Sequence, residues 1–245
     1  MSRATRREPS RIGTAGWTIP RRHAAAFPAE RSQLERYAQR LNAVEINSSF
    51  HRPHKRETYE RWAGSVPADF RFSVKLPRAI THDRRLADAD AALDGFIAQA
   101  GSLGAKLAVV LVQLAPSFAF DERIALAFFG ALRARFAGHV AFEPRHASWF
   151  TPEAESLLVA HRIARVAADP ASIPAAAEPG GWSGLTYFRL HGSPRRYFSD
   201  YEPERIAQYA KKLRQVESGE RWCIFDNTAH AFATANALAL AALLA

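Results

Sequence analysis

Short apolar runs of β type recur along the chain, separated in most intervals by patterns of helical period. Eight stand out: RIGTAGW (11–17), AVEINSSF (43–50), FRFSVKLP (70–77), LAVVLVQL (107–114), VAFEPRH (140–146), RVAAD (165–169), TYFRLHG (186–192) and WCIFDNT (222–228). Helical patterns are clearest over 30–41, 88–103, 121–136, 203–217 and 229–244. Pro152 in TPEAESLLVA and Pro203 in YEPERIAQYA suit the first turn of a helix, where a missing N–H breaks no bond. Strands that alternate with helices pair in parallel. Eight such units predict an α/β fold, a single (β/α)8 TIM-type barrel over residues 11–245. The sixth crossover, PASIPAAAEPGGWSG at 170–184, is rich in proline and glycine and is expected to be irregular. An open doubly wound sheet is the competing architecture, but no glycine-rich phosphate loop follows the first run.

Side chains alternate across a strand, so a period of two assigns faces. Val44 and Ile46 oppose Glu45, Asn47 and Ser49; Phe72 and Val74 oppose Arg71, Ser73 and Lys75; Val140 and Phe142 oppose Glu143 and Arg145; Phe188 and Leu190 oppose Arg189 and His191. In a barrel the apolar face meets the helices, so the polar face points inward. A lone buried charge costs several kcal/mol, which is tolerable at the C-terminal ends of the strands, where barrel enzymes build their sites. The expected ring is Glu45, Asn47, Lys75, Gln113, Glu143, Arg145, Asp169, Arg189, His191 and Asn227. The bland alternative is a structural network in which Glu45, Glu143 and Asp169 merely pair with Lys75, Arg145 and Arg189.

Composition adds limits. The 245 residues are 48% hydrophobic and 23% charged, an ordinary globular balance, with a formal net charge of +9. Residues 1–10 form a basic segment expected to be a flexible tail without the apolar stretch of a secretory signal. No run is apolar enough for a membrane span. The single cysteine, Cys223, excludes an intrachain disulfide and suits a reducing cytoplasm, more as a core residue than as a nucleophile. The basic surplus favours anionic partners.

The motifs GTAGW (13–17), VEINSSFHRP (44–53), WAGSVPADFRFSVKLPRAITHDRRL (62–86), LVQLAPSF (111–118), FEPRHASWF (142–150), YFRLHGS (187–193) and FDNTAHAFATANAL (225–238) follow one another in order. Together they resemble the YecE-like family, DUF72, from Ile12 to the C-terminal helix. The resemblance implies a barrel and no established activity. The family pattern has Phe–Tyr where Phe50–His51 stands here, and two asparagines where Asp226–Asn227 stands. Alternation is expected to put Asp226 on the face opposite Asn227, leaving the inner wall unchanged.

Lys75, Arg145 and Arg189 offer fixed positive charge, and arginine clamps phosphate or carboxylate in two-pronged fashion. The loop after the seventh run adds Arg195, Arg196 and Tyr197, either at an anion site or simply solvated. Glu143 and His191 are the expected acid–base pair, with Glu45, Asp169 and Lys75 as further catalytic candidates. Lys75 can act as a base or form an imine, although pairing with Glu45 is its more ordinary role. Asn47, His82, Gln113, Arg145, Trp149, Arg189, Tyr197 and Asn227 are the expected substrate contacts. The leading expectation is an enzyme of hydrolase, lyase or isomerase type on a small phosphate- or carboxylate-bearing molecule, with no cofactor. One alternative is a nucleic-acid or nucleotide-binding protein, with Trp17, Trp149 and Tyr197 stacking on bases. A further alternative is a divalent-metal enzyme using Glu45, Glu143, Asp169 and His191.

Overall fold

The computed structural model describes residues 9–245, so most of the expected tail lies outside the described residues. Among the described residues ten strands run in chain order: β1 (Arg11–Thr14), β2 (Ala43–Ile46), β3 (Arg71–Lys75), β4 (Leu107–Gln113), β5 (His139–Glu143), β6 (Ile163–Arg165), β7 (Ala167–Asp169), β8 (Gly180–Gly181), β9 (Leu185–Leu190) and β10 (Glu220–Phe225). The principal helices are α1 (Gln33–Tyr37), α2 (Arg56–Gly64), α3 (Asp90–Ala100), α4 (Glu122–Arg135), α5 (Pro152–Ala160), α6 (Pro203–Gln215) and α7 (Phe232–Leu244). Local chemistry sets several starts. Ser32 and Glu35 form a reciprocal capping box before α1, Asp121 and Thr151 cap α4 and α5, and Pro152 and Pro203 open α5 and α6.

The fold is a mixed α/β arrangement of two sheets, ordered β1-β10-β9-β7 and β2-β3-β4-β5-β6-β8. Every pairing is parallel except that of β8 with β6. β6 and β7 are two halves of one segment broken at Val166, whose N–H donates to the Phe142 carbonyl; β6 pairs with β5 and β7 with β9. At the other seam a parallel bridge joins Ala15 to Glu45, and Gly16 N donates to the Glu45 carbonyl at 2.8 Å. The sixth crossover carries only one helical turn (Pro174–Ala177) and the two-residue β8.

Two apolar clusters follow from the alternation. The larger packs strand residues such as Val44, Phe72, Val74, Phe142 and Phe188 against the helices. The smaller gathers Ala43, Val109, Leu111, Ala141, Ala164, Val166, Leu185, Tyr187, Trp222 and Ile224 from the opposite faces of strands in both sheets.

The approach of β1 to β2 depends on Gly13. A methyl group there would run into the Ala43 carbonyl oxygen and crowd the Tyr37 hydroxyl, which donates to that same carbonyl at 3.0 Å. Backbone atoms cannot step aside as a flexible side chain can. Gly13→Ala is therefore expected to cost about 1–3 kcal/mol, the range for overpacking a filled interior. Urea denaturation checks this, and an unchanged midpoint would show that the seam tolerates a wider spacing.

Candidate functional site

Because the strands are parallel, their C-terminal ends meet on one side of the molecule. Lys75, Gln113 and Glu143 are the last residues of β3, β4 and β5. Glu45 lies near the end of β2, Arg189 near the end of β9, and His191 and Asp226 just beyond β9 and β10. All seven side chains face one buried polar group.

Arg189 is its centre and is fully buried. A guanidinium has five N–H donors, and each finds an acceptor. Nε and Nη2 grip Glu45 side-on at 2.9 and 2.7 Å; Nη1 reaches Glu143 Oε2 at 2.5 Å and Gln113 Oε1 at 3.2 Å; Nη2 also reaches Asp226 Oδ2 at 3.2 Å. Tyr187, below this layer, donates its hydroxyl proton to Glu45 Oε2 at 2.9 Å and lies 2.9 Å from Ser73 Oγ. His191 stands between two carboxylates, with Nδ1 2.9 Å from Asp226 Oδ2 and Nε2 3.3 Å from Glu143 Oε1.

These pairings fix the charge states. Burial pushes the Glu143 carboxyl up, but Arg189, Arg145 and His191 outweigh it and hold the group well below the usual range. Asp226 is lowered in the same way, burial being overcome by Arg189 and His191. Glu143 therefore meets neutral pH as a carboxylate paired with Arg189, with His191 Nε2 3.3 Å from its Oε1.

Lys75 differs. It is 8% exposed and donates to the neutral Gln113 Oε1 at 2.8 Å. Its ammonium sits 4.2 Å from the centre of the Phe50 ring, a cation–π distance. The expected Glu45 partner is already gripped by Arg189, and no carboxylate among the described residues lies within ion-pairing distance of Lys75. Desolvation, reinforced by Arg189, brings its pKa down to about 8.

The rim holds four further functional groups, of which Tyr197 is exposed and Arg145, His82 and Asn47 are half-buried. Arg145 Nε donates to Glu143 Oε1 at 3.0 Å, and its guanidinium lies beside Tyr197. The Tyr197 ring packs edge-on against His191 at 5.7 Å. His82 packs edge-on against Phe50 at 5.0 Å, and its pKa is lowered by partial burial and by Lys75, Arg78 and Arg145. Asn47 follows β2 directly, and its Oδ1 is buried without a protein partner.

Several expectations need correction. Asp169 faces the helices, where it accepts from Tyr209 at 2.8 Å and Arg205 at 3.1 Å. Asn227 likewise turns outward and donates to Asn236 Oδ1 at 2.8 Å and the Ser199 carbonyl at 3.0 Å. The inner position belongs to Asp226, so Asp226 and Asn227 exchange the faces assigned to them. The parity was readable from Trp222 and Ile224, which share the inner cluster. Cys223 and Phe225 are equally apolar on the outer face, so hydrophobicity gave no contrast. Trp149 is 1% exposed, donates to the Phe118 carbonyl at 2.8 Å and packs against Phe120 and Phe142, out of reach of a base. Trp17 packs edge-on against Trp62. Arg189 has no donor left to clamp a substrate. Arg196 is tied to the Pro170 carbonyl at 3.1 Å, while Arg195 stacks over Phe198 at 4.3 Å. The four proposed metal ligands do not converge, since Asp169 points away and Arg189 separates Glu45 from Glu143. Among the described residues no group of three His, Cys, Asp or Glu is placed to hold an ion. None of the described helices is long and apolar enough to cross a membrane.

Comparison with known proteins agrees with the order of the sequence motifs. Residues 11–245 match the model of a family described as "Protein of unknown function DUF72". The chain is similar to the UPF0759 protein YecE of Escherichia coli K12, 29% identical over 57% of this chain and 49% of that one. It thus spans about half the length of the curated relatives it matches. In fold it is similar to a DUF72 family protein from Enterococcus faecalis V583, with TM-score 0.80, 22% identity, and 96% and 94% of the two chains covered. A DUF72 family protein from Thermotoga maritima MSB8 gives TM-score 0.78 and 22% identity, covering 96% of this chain and 99% of that one.

Proposed function

We propose that this chain, which belongs to the DUF72 family, is an enzyme of acid–base type acting on a small phosphate- or carboxylate-bearing molecule at the C-terminal ends of its strands. The scaffold we infer to support it is a (β/α)8 barrel formed by the two sheets together. Its ring runs from β1 through β5, along the β6–β7 segment, and through β9 and β10 back to β1. The inner apolar cluster fills its floor, and the charged group forms the layer above, the level at which such barrels carry their sites. A cytoplasmic setting suits the buried thiol of Cys223, which burial pushes up and keeps unreactive.

The observation that carries this reading is Lys75. Every interior carboxylate serves Arg189, while the one lysine of the group has a neutral amide for a partner and titrates at about 8. A buried amine poised near working pH is suited to take up and return a proton. Arg145, with Tyr197 and His82 beside it on the rim, is assigned to the anionic group of the substrate. Arg189, Glu45, Glu143, Asp226 and Gln113 are assigned to holding these groups in place.

Trace acetylation followed by peptide mapping is expected to give Lys75 a midpoint near 8. Small phosphates and carboxylates should raise the melting temperature, since a ligand at a hundred times its Kd adds about 2.7 kcal/mol. Arg145→Gln should abolish the rise. A Lys75 midpoint near the ordinary 10.5 would overturn the proposal. So would steeply salt-dependent oligonucleotide binding without any response to small anions.

A further inference from the structure

We infer that Lys75 is a nucleophile that forms an imine with a small aldehyde or ketone carrying a phosphate or carboxylate, an inference that rests on the anion-binding reading of the same site. An amine can attack a carbonyl carbon only through a free lone pair, so a reactive lysine must be able to shed its proton without leaving its place. Pairing with a carboxylate would lock the proton on. In this site the competing cation, Arg189, takes up Glu45, Glu143 and Asp226 together. The Lys75 amine is left against the Gln113 amide oxygen and the Phe50 ring. The amide accepts one N–H and holds the nitrogen at the strand end in either protonation state. Burial and the neighbouring Arg189 charge then favour the neutral amine.

The surroundings suit the remainder of the step. The nitrogen lone pair forms a C–N bond with the carbonyl carbon, and the carbonyl oxygen takes up the proton that nitrogen loses. The resulting carbinolamine accepts one more proton on oxygen and releases water as C=N forms. Amine, carbonyl compound and one proton thus yield a protonated imine and water. The cation that results stays beside the Phe50 ring and within the field of the interior carboxylates, which already raise the Lys75 pKa against desolvation. Arg145 on the neighbouring rim supplies the charge that selects an anionic carbonyl compound over a neutral one.

The test uses the full chain with sodium cyanoborohydride near neutral pH and three probes: glyoxylate, glycolaldehyde phosphate and uncharged glycolaldehyde. Reduction should leave an adduct heavier by the probe less one oxygen atom, and peptide mapping should place it on Lys75. The charged probes should modify Lys75 at least about tenfold faster than glycolaldehyde, a difference worth about 1.4 kcal/mol. Exposed Lys55 and Lys211 should react alike with all three. Lys75→Arg, checked for an unchanged circular dichroism spectrum, should form no adduct at that position. Labelling of Lys55 and Lys211 as readily as Lys75, or an unmodified Lys75, overturns the inference. Inorganic phosphate separates the two readings in the same samples. If phosphate slows acetylation of Lys75 but no adduct forms, the imine fails and the anion site stands. If phosphate gives no protection, both fail.

Discussion

Arg189→Met is expected to lower stability by about 3–5 kcal/mol, the loss that follows when one partner of a buried ion cluster is removed. Glu45, Glu143 and Asp226 are 0%, 2% and 7% exposed, so water cannot replace the five hydrogen bonds the guanidinium makes. At about 2–4 °C per kcal/mol for a chain of this size, the melting temperature should fall by roughly 6–20 °C. The pH dependence identifies the cause. In the wild type, Glu143 and Asp226 have lowered pKa values. Their stabilisation is complete above the unfolded carboxylate range near pH 4 and is lost as pH falls through the native values. In the variant, burial acts without the guanidinium and favours the protonated acids. The gap between the two proteins should therefore narrow as the solution is acidified. Arg189→Lys should fall between them, since three donors replace five. A variant within about 1 kcal/mol of the wild type, measured by urea denaturation, would show that the cluster relaxes without its centre.

Lys75→Met should act in the opposite direction. The folded pKa of about 8 lies below the ordinary 10.5. Between these values the unfolded chain holds a proton that the folded chain has released, so stability rises with pH across this window. Below about 8 the charged amine costs the full difference, roughly 3 kcal/mol. Methionine removes that cost and fills a similar volume, and Gln113 Oε1 keeps its bond from Arg189 at 3.2 Å. The lost cation–π contact with Phe50 returns about 0.5–2 kcal/mol of it. The net expectation is a gain of about 1–3 kcal/mol at neutral pH, shrinking toward zero as the wild-type amine deprotonates. Urea midpoints at neutral pH and near 10.5 read both effects. A variant less stable than wild type at neutral pH would mean that Lys75 is a structural cation. A gain in stability joined to loss of anion response is the pattern of a residue kept for function.

Much of the architecture was legible because it is local. Alternating faces, proline-marked helix starts and capping residues depend on neighbours a few positions away, and strand–helix alternation dictates parallel pairing. The same alternation places Glu45, Lys75, Gln113, Glu143, Arg189 and His191 on one face from the sequence alone. It failed where both faces are small or apolar. In RVAAD, Ala167 and Ala168 put a small residue on each face just before Asp169, and in WCIFDN each face carries large apolar groups. Alternation accordingly predicts Asp169 and Asn227 inside and overlooks Asp226.

The sequence by itself therefore determined most of the charged strand ends, Asp169 and Asp226 excepted, and that these gather at one side of an α/β fold. Only the tertiary structure decided who pairs with whom. Glu45 and Lys75 share an inward face and opposite charge, so proximity along the pattern suggested a pair. Arg189 lies far away in sequence but reaches Glu45, Glu143 and Asp226 at once, and its planar five-donor fork binds them better than a single ammonium can. That competition between two cations for one set of carboxylates is settled by side-chain geometry across the interior, which no periodicity encodes. Its outcome leaves Lys75 buried, without a carboxylate partner, and near its titration point.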